Sequence, residues 1–65
     1  MKLLINGEER EVAAADVAGL VEELGLDVRK VAVERNLAIV PRSTYAMTGL
    51  TEGDRIEIVQ FVGGG

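Results

Sequence analysis

The sequence predicts an α+β fold: a mixed sheet of four to five strands with one main helix packed across one face. Three observations predict it. An Asn6-Gly7 pair marks a tight hairpin near the start, a single apolar stripe of helical spacing follows, and short runs of alternating apolar and polar residues come after the helix. A chain of 65 residues makes one domain with a thin core, because such a domain buries only about 60% of its unfolded surface.

The first element is a β-hairpin. Residues 1–6 and 8–12 are its predicted strands, because Asn6 and Gly7 both tolerate the positive φ of a type I′ turn. This hairpin cannot bury its apolar face alone, so it requires a covering helix.

The helix begins after Asp16, whose side chain suits an N-cap. Its apolar residues fall at i, i+3, i+4 and i+7 and form one stripe: Val17, Leu20, Val21 and Leu24. Gly25 supplies the left-handed residue that ends the helix, and Leu26 is placed to fold back on it.

The remaining strands are short. Residues 30–35 form a half-buried strand with Val31 and Val33 on one face, and residues 39–40 form a very short strand that Pro41 ends. Residues 42–49 are irregular or a helical turn, residues 51–54 are a turn, and residues 55–61 are the last strand. If the last strand pairs parallel to the first, the right-handed crossover lays the helix on one face. That is the β-grasp, or ubiquitin-like, arrangement, over residues 1–62, followed by a flexible glycine tail at residues 63–65.

Composition excludes several functions. Without Cys the chain has no thiolate nucleophile, and without His it lacks the commonest general base and metal ligand; its acidic residues do not follow a calcium-loop pattern. We therefore expect no metal site and no enzymatic activity. A net charge of −4 disfavours nucleic acid and anionic membrane as partners. The apolar run near the N-terminus is too short for a signal peptide, so we expect a cytoplasmic protein.

The strongest functional signal is the end of the sequence, Val62-Gly63-Gly64-Gly65. A carboxylate becomes an acyl donor only after activation, most simply as a mixed anhydride with AMP. Glycine has no Cβ and permits close backbone approach, so such a tail can thread a narrow channel in a partner. We therefore expect Gly65 to carry the reactive carboxylate, with Val62, Gly63 and Gly64 threaded behind it. The alternative is a functionless frayed end or an expression remnant.

The last strand also predicts a docking patch. If Ile56 and Ile58 point toward the helix, Val59 and Phe61 lie on the opposite, solvent-exposed face, because residues two apart share a face. Leu4 joins them if its two neighbours point inward. An exposed apolar patch on a small domain indicates a docking surface. The alternative is that this end of the strand wraps the sheet edge and belongs to the core.

Over essentially its full length the chain resembles the ThiS family of sulfur carriers of thiamine biosynthesis. The resemblance is carried by residues 4–8 (LINGE), the helix at 17–25, residues 31–36 (VAVERN), 39–43 (IVPRS) and 52–58 (EGDRIEI), and the glycine end. The segment at 39–43 discriminates best, since ubiquitin-like domains in general share the turn and the tail but lack it. Gly64 and Gly65 match the family's diglycine end, and Gly63 is an added glycine.

The resemblance implies a function and a set of partners. An E1-like adenylyltransferase would adenylate Gly65 with ATP, and sulfur from a cysteine desulfurase persulfide would replace the adenylate. The thiocarboxylate would then serve thiazole synthase. The chain itself would bind no cofactor. Two alternatives stay open: a small subunit of molybdopterin synthase, and an interaction module such as a TGS domain. An acyl carrier is excluded, since the chain has no Asp-Ser-Leu at a helix start.

Overall fold

The computed structural model describes residues 1–62 and confirms the predicted mixed sheet with one main helix. The sheet has five strands in the order β2-β1-β5-β3-β4. The elements are β1 (Lys2–Ile5), β2 (Glu8–Glu11), α1 (Val17–Glu23), β3 (Val31–Arg35), β4 (Ala38–Val40) and β5 (Arg55–Gln60), with 3₁₀-helices at Val28–Lys30 and Arg42–Met47. β1 and β5 pair in parallel, which is the condition for the β-grasp arrangement, and the other pairs are antiparallel. The predicted tail at 63–65 lies outside the described residues.

Two tight hairpins build the sheet, and the sequence predicted only the first. Asn6 and Gly7 have φ of 50° and 82°, as a type I′ turn requires. At the second hairpin, between β3 and β4, Asn36 and Leu37 have φ of 50° and 72°. A left-handed leucine is rare, so the sequence signal for this turn was weak. Because the turn ends at Leu37, β4 begins at Ala38, one residue earlier than predicted.

Helix α1 has the predicted caps. The Asp16 carboxylate accepts a hydrogen bond from the backbone N–H of Gly19 at 2.7 Å. At the other end Gly25 has φ of 73°, and the N–H of Leu26 donates to the carbonyl of Val21 at 3.0 Å. These bonds satisfy backbone groups that a helix leaves unpaired at its ends.

The core lies between α1 and the sheet and is almost entirely aliphatic. Three of the four predicted stripe residues are fully buried, and Leu24 packs partly buried beside them. Tyr45, from the second 3₁₀-helix, is buried among them. The buried apolar residues are Leu3, Ile5, Val12, Val17, Leu20, Val21, Val31, Val33, Val40, Tyr45, Leu50, Ile56 and Ile58.

A buried carboxylate fixes the start of β5. Asp54 accepts hydrogen bonds from Arg35 Nε at 2.8 Å, from Asn36 Nδ2 at 3.0 Å and from the backbone N–H of Thr51 at 2.7 Å. In turn, Asn36 Oδ1 accepts from the backbone N–H of Arg55 at 2.9 Å. This network ties the turn before β5 to the β3–β4 hairpin.

Leu20→Ala should lower the free energy of unfolding by about 2–4 kcal/mol, because it leaves a cavity at the centre of the apolar stripe. The matched control is Leu4→Ala, which shortens a partly exposed leucine on the other face of the sheet; its effect should stay below about 1 kcal/mol. Urea unfolding of both variants measures the difference. Equal losses would show that the core face has been misplaced.

Asp54→Asn should cost about 2–3 kcal/mol at pH 7, because it weakens charge-assisted hydrogen bonds to a buried group. Burial alone raises the pKa of Asp54, but the hydrogen bonds from Asn36, Thr51 and Arg35 outweigh it and hold the pKa below its ordinary value. The carboxylate therefore stabilises the fold above the unfolded pKa of about 3.9, and this contribution is lost as the pH falls through the lower folded-state pKa.

Urea unfolding as a function of pH checks this expectation. The difference between the wild type and Asp54→Asn should shrink as the pH drops below about 4. The control is Glu9→Gln, which removes an exposed ion pair with Lys2 (Nζ to Oε1, 3.6 Å); it should cost less than about 1 kcal/mol. A difference for Asp54→Asn that does not change with pH would contradict the role given to its charge.

Candidate functional site

The candidate site is the face of the sheet opposite α1, called here the open face, together with the end of β5. Ile56 and Ile58 are buried, whereas Val59 is 60% exposed and Phe61 is 49% exposed. The predicted alternation along β5 is therefore confirmed. The alternative, in which Phe61 belongs to the core, is wrong.

Leu4 is also on the open face, at 38% exposure, but it lies apart from the other two. Its Cα partner on β5 is Arg55, four residues before Val59, which is about 13 Å along a strand. Leu4 instead lines a shallow groove with Lys2, Glu9 and other residues of that end. The three predicted docking residues share a face but do not form one continuous patch.

Sequence reasoning missed Ile39, which is 78% exposed on β4. Val40 is buried, so alternation along β4 places Ile39 on the open face. That signal was present in the sequence, but a strand predicted at only two residues had no assigned face. With Val59, Ile39 forms the Ile39–Val59 cleft, which is lined by Ala32, Val33, Glu34, Ile39, Glu57 and Val59.

The chain leaves the sheet at Phe61. The backbone N–H of Phe61 donates to the carbonyl of Lys30 at 2.7 Å, and Val62, the next residue, is 94% exposed. Lys30 ends the first 3₁₀-helix, which Asp27 caps by accepting the backbone N–H of Arg29 at 2.9 Å. Hydrogen bonds from the Arg29 side chain and backbone lower the pKa of Asp27 to about 2, so this cap keeps its charge at a lower pH than an ordinary aspartate does.

Asn6 holds the second half of β5 in place, which sequence reasoning also missed. Beyond the turn role predicted for it, its side chain forms a pair of hydrogen bonds with the backbone of Ile58. Asn6 Nδ2 donates to the carbonyl of Ile58 at 3.1 Å, and the N–H of Ile58 donates to Asn6 Oδ1 at 2.7 Å. The amide side chain thus replaces a residue of β1 and extends the parallel pairing toward the end of β5.

The predicted site residues Gly63, Gly64 and Gly65 lie outside the described residues. Within residues 1–62, no group of three or more acidic side chains is arranged to hold a metal ion. No helix in that range is long and apolar enough to cross a membrane. What the described part of the site offers is an exposed, partly apolar face beside the point where the chain leaves the sheet.

Comparisons with known proteins identify relatives over the whole chain. The model of the ThiS family matches residues 3–65. The crystal structure of the thiamine biosynthesis protein ThiS from Geobacter metallireducens superposes with a TM-score of 0.83 and 32% identity, covering 100% of both chains. A solution structure of a thiamine biosynthesis protein from the same organism gives a TM-score of 0.81 at 32% identity, covering 100% of this chain and 88% of that one.

Two curated relatives are longer proteins. The thiazole synthase of Paramagnetospirillum magneticum is 61% identical over 100% of this chain, and that of Magnetococcus marinus is 48% identical over the same extent. The chain spans only 20% of the length of each of these proteins.

Proposed function

The chain belongs to the ThiS family, and on that basis we propose that it is a sulfur carrier of thiamine biosynthesis and not an enzyme. Its working group is the carboxylate of Gly65. A carboxylate oxygen attacks the α-phosphate of ATP in an E1-like adenylyltransferase, and pyrophosphate leaves. The outer sulfur of a desulfurase persulfide, originally from cysteine, then attacks the acyl adenylate and displaces AMP, which leaves an acyl disulfide. A thiol cleaves that S–S bond, becoming part of a new disulfide, and a thiocarboxylate remains on Gly65. The thiocarboxylate delivers that sulfur to thiazole synthase. ATP is bound by the activating partner, and the carrier itself needs no cofactor.

The observation that carries this proposal is the geometry at the end of β5. Phe61 is held to the sheet by its bond to Lys30, and the chain turns out to solvent at Val62 beside the open face. Three glycines follow in the sequence. Extended, three residues span on the order of 10 Å, which suits a tail that enters a channel while the domain stays outside.

The curated relatives support thiazole synthase as the acceptor. They are named thiazole synthases, and each contains a region that matches this whole chain. A carrier held in the same chain as its acceptor meets it at a high effective concentration. Carboxylate chemistry nevertheless requires that Gly65 end the mature polypeptide.

Intact mass measurement of the protein from its native host tests both the free end at Gly65 and the presence of the thiocarboxylate. We expect a species that ends at Gly65, and a second one heavier by the mass difference between sulfur and oxygen. A mature protein in which the chain continues beyond Gly65, with no species ending there, would overturn the proposed chemistry.

Deleting Gly65, or adding one alanine after it, should abolish activation and leave the fold unchanged. The reactive carboxylate is the main-chain terminus, so the length of the tail sets its reach. ATP–pyrophosphate exchange with the cognate adenylyltransferase measures activation, and thermal melts check the fold. Normal exchange by the truncated protein would rule out the carrier function and favour a plain interaction module.

Phe61→Ala should weaken binding to the activating enzyme far more than it weakens folding. The ring is half exposed beside the exit of the tail, so a partner pocket closing on it would make it a hot spot worth about 2 kcal/mol or more. The control is Met47→Ala, which shortens an exposed side chain of the 3₁₀-helix that packs beside α1, away from the open face; it should bind nearly as the wild type does. Melts and calorimetric titrations use the same samples. A large fall in melting temperature with unchanged affinity would refute the docking role.

A further inference from the structure

The Ile39–Val59 cleft contains an electrostatic conflict. Glu34 and Glu57 are direct Cα partners in the antiparallel pairing of β3 with β5, and both are half-buried on the open face. Like charges directly opposite each other destabilise a sheet. The cross-strand neighbours of this pair, Arg35↔Ile56 and Val33↔Ile58, point to the other face and cannot screen it.

Within residues 1–62, only one cationic side chain forms an ion pair with either of these two carboxylates. Arg55 lies two residues before Glu57, and its Nε is 3.3 Å from Glu57 Oε1. Among the ion pairs formed within residues 1–62, none involves Glu34. Two carboxylates against one guanidinium leave one negative charge at the mouth of the cleft.

The rest of the cleft is apolar and narrow. Ile39 is the Cα partner of Glu34 on β4, and Val59 is the Cα partner of Ala32 on β3. The methyl group of Ala32 is small, so the space between the two larger side chains stays open down to the sheet. A ligand that fits has an aliphatic stem for this space and a cationic head for the carboxylates.

We propose that this cleft receives an arginine side chain of the activating enzyme. The stem of the arginine would lie over Ala32 between Ile39 and Val59, and its guanidinium would bridge Glu34 and Glu57. A planar guanidinium suits this geometry better than a lysine, because it offers several donors in a fixed fork to two carboxylates. The proposal deepens the proposed function and depends on it only for the identity of the partner.

Two observations favour the activating enzyme as the occupant. The cleft shares the open face with Phe61 and the exit of the chain, so a protein seated there is also placed to take up the tail. In the longer relatives the matched region is already part of a thiazole synthase chain. In those relatives the activating enzyme is the partner that has to be recruited from solution, where complementary charge raises the rate of encounter.

The first test compares two doubly substituted proteins that lose the same charge. E34Q/E57Q changes the cleft, and E8Q/E22Q changes two exposed glutamates that lie away from it. We expect E34Q/E57Q to melt at a higher temperature than the wild type and to bind the activating enzyme about tenfold more weakly, with a smaller dependence on salt. E8Q/E22Q should bind within about twofold of the wild type. Equal weakening in both proteins, or wild-type affinity in E34Q/E57Q, would overturn the proposal.

The second test needs no partner protein. Arginine amide is titrated into the isotope-labelled full chain and followed by the backbone amide signals, with leucine amide as the control ligand. Saturable shifts at Ala32 and Val59 with arginine amide, absent in E34Q/E57Q, support the site. Shifts of the same size in E34Q/E57Q, or no shifts in the wild type, count against it. Failure of the wild type to undergo pyrophosphate exchange would instead refute the carrier function, and the arginine titration would still decide the cleft.

Discussion

The carboxylate of Asp54 makes the hydrogen bonds on which the placement of each proposed functional feature depends. β5 lies between β1 and β3. Its first residue follows a turn whose conformation Asp54 fixes by accepting a hydrogen bond from the backbone N–H of Thr51. By binding Arg35 and Asn36 as well, the same carboxylate fixes the β3–β4 hairpin against that turn. Because the side-chain period of a strand is two, a slip of one residue here would send Val59 inward and expose Ile58. The open face therefore depends on a polar contact buried at the other end of the strand.

Two further contacts keep β5 aligned from its first residue to Phe61, where the chain leaves the sheet. The side chain of Asn6 pairs with the backbone of Ile58 just beyond the end of β1, and the carbonyl of Lys30 accepts the N–H of Phe61. Each contact uses a group outside a regular strand to continue the pairing of β5. The chain is thus held in register up to the residue that precedes Val62, so docking of the domain on a partner would also set the point from which the proposed tail starts.

The sequence predicted the fold well because its signals were local. The Asn6-Gly7 turn, the Asp16 cap, the helical stripe and the alternation of Ile56 and Ile58 each depend on residues close together in the chain. The features that it did not predict depend on contacts distant in sequence. Asn6 bonds to a residue 52 positions away, Asp54 to partners 18 and 19 positions away, and the cleft assembles from three strands. The turn at Leu37 was not predicted for another reason. Leucine rarely adopts the left-handed conformation that Leu37 has, and the hairpin around it imposes that conformation.

The open face lowers the stability of the domain, and a domain of this size has little stability to lose. A small core leaves a narrow margin, yet the face exposes Ile39, Val59 and Phe61 and sets two glutamates opposite each other. On the other side of the same sheet, local preference, packing and charge agree: the buried strand residues there are aliphatic and the buried carboxylate has three donors. Departures from local consistency that gather on one face are expected at functional surfaces. A partner that buries the apolar side chains and neutralises the carboxylates would remove both costs at once, and the free energy recovered would contribute to binding.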